Sequence, residues 1–295
     1  MQDIRERIAR SAEETEELLA RLCDRSDAEL QEIFDAESYS LLGGGTRIRP
    51  FIVKEVCAAL GGERKCAEYY GAALEMVHTY SLIHDDLPCM DDDDMRRGRP
   101  TNHKVFGYST ALLAGDALLT RAFYIAATNP YATDRQNAEA VRLIAEAAGD
   151  SGMIGGQIID LQGETRRLEW GQLLRLHRLK TGALIKCAAA LGALAAEYGS
   201  ESKECREALT YAESIGLAFQ VIDDLLDVTA TEEELGKSVG SDAARGKTTF
   251  LSYFDVDGAQ SYARELTDKA VEAIGSWQEG RVLTDLAYYL LERKN

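Results

Sequence analysis

The last of the four prolines stands at Pro130, so more than half of the chain runs without one. Proline removes a backbone donor and breaks a helix interior. Its absence over so long a stretch favours long helices. The apolar residues agree with this. Tyr70, Leu74, Val77 and Tyr80 recur at helical spacing, as do Ile215, Phe219, Ile222 and Leu226. Both runs predict amphipathic helices. Strict apolar–polar alternation, the mark of a half-buried strand, is missing, and the expected fold is all-α. Gly43-Gly44-Gly45, Gly61-Gly62, 128–137 and 199–203 read as short connections. The stretch 229–247 reads as a long connection of the kind that carries function. No boundary divides 1–295, so a single domain is expected. The alanine-rich stretch 183–196 reads as a helix whose small side chains allow close packing.

Bulk composition narrows the function. A formal charge of −17 argues against nucleic acid, whose phosphates need basic patches. The 6 cysteines show no CxxC spacing, and a chain of 295 residues can bury its own core without disulfides. A reduced, cytoplasmic setting is the expectation. The N-terminal MQDIRERIAR is charged and lacks an apolar signal core, and no apolar run reaches the ~18 residues of a membrane span.

Two acidic clusters point to chemistry. The first is Asp85-Asp86-Leu87-Pro88-Cys89-Met90-Asp91, followed by Arg96-Arg97; the second is Asp223-Asp224-Leu225-Leu226-Asp227. Two carboxylates ~5 Å apart repel by roughly 3 kcal/mol at an effective dielectric of about 20. Magnesium relieves such repulsion and takes one or two carboxylates together with phosphate oxygens. Asp223 and Asp227, four residues apart, share a helix face with Gln220. Pro88 disfavours helix at Leu87 and should end the first helix there, letting Asp91 fold back toward Asp85. His78, two turns upstream, should face the same way as Asp85. Arginine forks match phosphate oxygens, and Arg47-Ile48-Arg49-Pro50 follows three glycines that allow close backbone approach. EF-hand spacing is absent.

These motifs resemble the short-chain trans-isoprenyl diphosphate synthases of the polyprenyl synthetase family, the bacterial farnesyl diphosphate synthases most of all. The resemblance runs from about Leu42 to the C-terminus. It rests on GGTRIRP at 44–50, SLIHDDLPCMDDDDMRRGRPTNHK at 81–104, GGQIIDL at 155–161, KTGALI at 180–185 and GLAFQVIDDLLD at 216–227. It implies the isoprenoid synthase fold, an all-α bundle around a central active-site cavity, in a homodimer. It also implies head-to-tail condensation of an allylic diphosphate with isopentenyl diphosphate, using three magnesium ions.

Site roles follow by the same resemblance. Asp85, Asp86 and Asp91 would bind metal on the allylic diphosphate; Asp223, with Asp224 and Asp227 acting through water, would bind the third ion. Arg96, Lys180, Lys237 and Lys247 would contact the allylic diphosphate. Arg49, His78 and Arg97 would bind isopentenyl diphosphate. Thr181 and Gln220 would sit near the reacting carbons, and Asp160 would orient Lys180. The 229–247 loop and the C-terminal Glu292-Arg293-Lys294-Asn295 are candidates to close the site. Tyr80 and Ser81, just before Asp85, would set product length, and the bulk of Tyr80 suggests a C15 product. Geranyl (C10) and geranylgeranyl (C20) diphosphate are the alternatives. A second DDxxD motif disfavours a terpene cyclase. A non-catalytic partner subunit would tend to lose one acidic motif, and both are present. The family usually has lysine where this chain has Thr46, which implies weaker binding of isopentenyl diphosphate.

Overall fold

A computed structural model describes residues 2–229 and 247–293. The first four helices are α1 (Gln2–Cys23), α2 (Gln31–Leu41), α3 (Ile48–Ala59) and α4 (Arg64–Asp85). A two-residue ribbon follows, Met95–Arg96 paired antiparallel with Arg99–Pro100, the only strands among the described residues. Then come α5 (Asn102–Phe106), α6 (Tyr108–Ala127), α7 (Asp134–Ala148), α8 (Met153–Thr165) and α9 (Trp170–His177). A π turn over Arg178–Gly182 joins α9 to α10 (Ala183–Ala195). The chain ends with α11 (Lys203–Thr229), a short 3-10 turn, α12 (Val256–Ala273) and α13 (Arg281–Glu292). The expected all-α architecture is observed, and breaks fall at Gly43-Gly44-Gly45, at Gly61-Gly62 and at 199–202. The connection expected over 128–137 is shorter, because a capping box between Thr133 and Gln136 starts α7 at Asp134, and 230–246 lie outside the described residues.

The long runs form helices because apolar side chains repeat on one face. In α4, Tyr70, Leu74 and Val77 are 0% exposed; burying side chains of this size contributes about 1.5–3 kcal/mol each. The alanine-rich α10 packs against α3, α4, α7 and α11 and forms the centre of the bundle. Its Ala188, Ala189 and Ala193 are fully buried, so small side chains here serve close helix approach. A second apolar cluster joins α9, α11, α12 and the 3-10 turn through Leu173, Val221, Leu225, Phe250 and Ala263. It lies directly beneath the second acidic motif and seats it.

One helix departs from the sequence reading. α6 is 20 residues long with mean hydropathy 1.2, enough by length and composition alone to cross a membrane. It carries Asp116 and Arg121 and packs along α4. Its other side exposes Tyr108, Leu112, Leu113 and Tyr124. All six cysteines are free.

Candidate active site

The first acidic cluster forms where α4 ends. The helix stops at Asp85, two residues before the position Pro88 requires, and Asp86 caps it. The chain then turns back, and the Asp91 amide donates to the Asp85 carbonyl at 2.9 Å. Asp85 thus sits at the negative end of a helix dipole with Asp91 beside it, an arrangement that calls for a cation. Burial, together with Asp91 and Asp86, pushes the Asp85 carboxyl up to about 6, against the opposing pull of Lys180 and Arg96. Asp86 points elsewhere. It is 3% exposed and receives Arg96 Nε at 2.7 Å and Nη2 at 2.6 Å.

The basic residues Arg47, Arg49, Arg96 and Arg97 gather near His78. Arg47 adopts a left-handed backbone at φ 50 and is completely buried. Its guanidinium reaches Glu75 at 2.7 Å, Glu16 at 3.1 Å and the Leu41 carbonyl at 2.6 Å. Glu75 lies one turn before His78 on α4. Burial pulls Arg49 below its usual range, and Arg97 adds to this while Glu75 opposes it. The Arg49 Nε is buried without a partner. His78 is held neutral, well below the usual imidazole range, by burial and by Arg49, Arg97, Arg47 and Arg96. Arg97, also left-handed at φ 52, donates to the Gly44 carbonyl. Gly45 has φ +124, and a Cβ there would lie 2.7 Å from the Arg97 guanidinium carbon. The glycines therefore admit an arginine against the backbone. Thr46 is exposed on the same turn.

Lys180 connects the two halves of the site. It lies in the π turn, a form often found at functional positions. α8 crosses against that turn at Gly156, where a Cβ would meet the Lys180 amide nitrogen at 2.2 Å. The close crossing brings Asp160, one turn later on α8, to Lys180 at 2.5 Å and to Lys247 at 3.4 Å. Burial alone would raise Asp160, but the two lysines outweigh it and hold the carboxyl below its usual range. Burial would lower Lys180, yet Asp160, Asp85 and Asp91 raise it. One lysine is thus within electrostatic reach of the first cluster and bonded beside the second.

The second cluster lines a cavity of about 340 Å³ with Asp160, His177, Lys180, Gln220, Asp223 and Lys247 on its wall. Asp223 is held on both oxygens: Gln220 Nε2 donates to Oδ2 at 3.1 Å, and Arg293 pairs with Oδ1. Arg293 also stacks 3.8 Å over the Phe219 ring. Asp224 is buried and accepts the Phe250 amide at 2.6 Å, and Asp227 is 3% exposed. Thr181 follows Lys180 in the π turn. Lys237, Lys294 and Asn295 lie outside the described residues. Tyr80 is 5% exposed, its hydroxyl buried without a partner and its ring edge-on to His84 at 5.6 Å. Ser81 donates to the His78 carbonyl at 2.8 Å.

A larger groove of about 470 Å³ lies on the outer side of α10 between α7 and α11. Its walls are mostly apolar, and its carboxylates are already paired: Glu139 and Glu146 with Arg142, Glu213 with Lys186 and Arg178. Size does not make it the site; the smaller cavity is the one lined by the second acidic motif together with Lys180. Among the described residues, no three carboxylate, imidazole or thiol groups converge as a protein-only metal cage would. The oxygen donors of Asp85, Asp91 and Asp223 suit a hard divalent ion that completes its shell with water and phosphate.

An all-α bundle that presents two aspartate clusters around one lysine, with an arginine pocket alongside, is the architecture of isoprenyl diphosphate synthases. Residues 30–282 match the model of the polyprenyl synthetase family, and the chain belongs to that family of prenyltransferases. It is 40% identical over 263 residues to a farnesyl diphosphate synthase of Haemophilus influenzae, covering 89% of each chain. It is 44% identical over 273 residues to a geranylgeranyl diphosphate synthase of Cyanophora paradoxa, covering 89% of this chain and 88% of that one. The crystal structure of an FPP/GFPP synthase from Zymomonas mobilis superposes with a TM-score of 0.88 at 35% identity, over 98% of this chain and 99% of that chain.

Reasoning from sequence missed Glu75, Arg47 and His177 as parts of this site. Glu75 had a signal, since it lies three residues before His78 and shares its helix face. Arg47 stood inside a quoted motif without a role. His177 had no periodic signal, because the π turn after it changes the helical phase.

Proposed function

We propose that this prenyltransferase joins an allylic diphosphate, dimethylallyl or geranyl, to isopentenyl diphosphate head to tail and releases farnesyl diphosphate. The observation that carries the reading is Lys180, set between two acidic clusters and next to an arginine–histidine pocket with unsatisfied positive charge. Arg49, Arg97 and His78 receive the isopentenyl diphosphate. Arg96, Lys180, Lys247 and Lys237 surround the allylic diphosphate. Asp85 and Asp91, with Asp86, and Asp223, with Asp224 and Asp227, would hold three magnesium ions against that diphosphate. Bound there, the ions would neutralise charge developing on the leaving group.

The allylic C–O bond breaks, and the diphosphate leaves with the electron pair. The isopentenyl double bond then forms the new carbon–carbon bond, and a proton passes to the departed diphosphate. Lys180 and Arg96 stabilise charge on the leaving oxygens. The Thr181 hydroxyl and the Gln220 amide place dipoles near the carbocation without capturing it. In the ligand-free protein the Gln220 oxygen faces His177 at 3.2 Å, so one of its two lone pairs remains for the cation. Exclusion of water prevents quenching to an alcohol. A second copy of the chain would cover the apolar outer side of α6, giving the homodimer, and the free thiols suit the cytoplasm.

Product length is the part that relatives leave open, because they include synthases of both C15 and C20 products. The buried Tyr80 ring, just before Asp85, supports C15. Purified protein incubated with magnesium, geranyl diphosphate and labelled isopentenyl diphosphate is expected to yield mainly C15 alcohol after dephosphorylation. Tyr80→Ala is expected to shift the products to C20 and longer; an unchanged distribution would remove Tyr80 as the stop. Thr46→Lys is expected to lower the KM for isopentenyl diphosphate about fivefold, the equivalent of about 1 kcal/mol from one more charged contact on an exposed turn. A KM that stays level or rises would contradict the assignment of that turn.

A further inference from the structure

We propose that His177 is a positioning residue of the second aspartate motif: its ring N–H fixes the Gln220 amide, and that amide fixes the Asp223 carboxylate ready for a divalent cation. The inference rests on the metal-binding reading of Asp223 given above.

The hydrogen bonds allow only one arrangement. Asp223 is a carboxylate and can only accept, so the Gln220 NH2 group must face it. The bond between them is 3.1 Å. The Gln220 oxygen then faces His177 Nδ1 at 3.2 Å, and an oxygen cannot donate. The hydrogen therefore sits on Nδ1, and Nε2 carries a lone pair. Burial lowers His177 to about 4, which keeps the ring neutral as this scheme requires. Nε2 is buried without a partner, so nothing competes for the other tautomer.

The ring is itself held in plane. It stacks on Phe250 with centroids 4.9 Å apart and planes 18° apart. The Phe250 amide donates to Asp224 Oδ2 at 2.6 Å. The contacts form a closed circuit from Asp224 through Phe250, His177 and Gln220 to Asp223. It begins and ends on adjacent aspartates, one turned inward as an anchor and the other turned into the cavity. Gln220 occupies Asp223 Oδ2 and leaves Oδ1 for a positive charge, and the Arg293 guanidinium is found on that oxygen.

A glutamine held in one rotamer, with its amide the right way round, spares the ordering entropy that metal binding would otherwise meet. Removing such an outer partner weakens metal affinity about 10- to 100-fold. The test is Mn²⁺ binding to the full-length protein in the presence of inorganic pyrophosphate, read from the free-ion electron paramagnetic resonance signal. His177→Phe keeps a flat ring on Phe250 and removes the donor; it is expected to weaken Mn²⁺ binding about tenfold. His177→Asn places an amide N–H near the position of Nδ1 and is expected to recover most of the affinity. His177→Gln carries its amide one methylene further and is not expected to recover it. Affinity within twofold of wild type in His177→Phe would overturn the proposal. Should that variant fail to fold, equal affinities for the Asn and Gln variants would overturn it instead. Asp223→Asn separates the two readings. If it binds Mn²⁺ as wild type does, the metal-binding reading of Asp223 fails. If it loses affinity while His177→Phe does not, only the positioning role fails.

Discussion

Replacing Asp85 with asparagine is expected to lower kcat/KM about 10²- to 10³-fold while stabilising the ligand-free protein. The two effects have one cause. Asp85 ends α4 at the negative pole of the helix, with Asp91 folded back on it and Asp86 adjacent. Its carboxyl titrates at about 6 because burial and these neighbours disfavour the charged form. That unfavourable charge is what a cation and a diphosphate would relieve, so losing it removes transition-state stabilisation worth about 3–4 kcal/mol. The folded protein binds the Asp85 proton more tightly than the unfolded chain, so native stability falls as pH rises between the two pKa values. The stability gained in Asp85→Asn should therefore grow from about pH 4 to pH 6 and stay constant above. Steady-state kinetics at saturating magnesium and thermal melts at several pH values check both halves. Full activity in Asp85→Asn would remove the first cluster from the chemistry. A stability gain that does not depend on pH would remove the electrostatic explanation.

Glu75→Ala is expected to be the most destabilising single change around the site, at about 3–5 kcal/mol. Glu75 and Arg47 are 2% and 0% exposed at the side chain and meet at 2.7 Å. Removing one partner of a buried pair leaves the other charge uncompensated, and that is the costly case. The remaining partners of Arg47 are the Leu41 carbonyl and Glu16, whose side chain is 38% exposed and well screened. Glu75 also offsets the charge of Arg49 and Arg97, so its removal leaves the pocket more positive, and the folded variant should bind isopentenyl diphosphate more tightly. Denaturant unfolding and a substrate titration would measure the two effects. A loss of less than about 1 kcal/mol would mean that Glu16 and water already balance Arg47.

Much of this was legible in the amino-acid order. The apolar spacing in α4 and α11 gave the helices, and the glycine clusters gave their ends. The acidic motifs and the GGTRIRP and KTG segments named Asp85, Asp91 and Lys180, which the structure brings into one electrostatic neighbourhood, and Arg49 and Arg97, which lie beside His78. Other features were not legible. Asp85 and Asp86 are neighbours in sequence, but one faces Lys180 and the other is buried on Arg96. Asp223 and Asp224 part in the same way, toward the cavity and toward the Phe250 amide. Successive residues on a helix diverge by about 100°, and only the packing around them decides which direction is inside. Gly45 read as room for a phosphate, and the structure fills that room with Arg97.

Sequence alone determined the helical architecture, the family and the kinds of side chain available for diphosphate and metal. These follow from periodicity and motif order, which are local. Tertiary structure decided the partners: Glu75 for Arg47, Asp160 for Lys180, and His177 for Gln220. Each pair joins residues at least 20 positions apart, across helices whose mutual rotation depends on a glycine crossing or a π turn. Those rotations set which charges are compensated inside the bundle and which are left for a ligand.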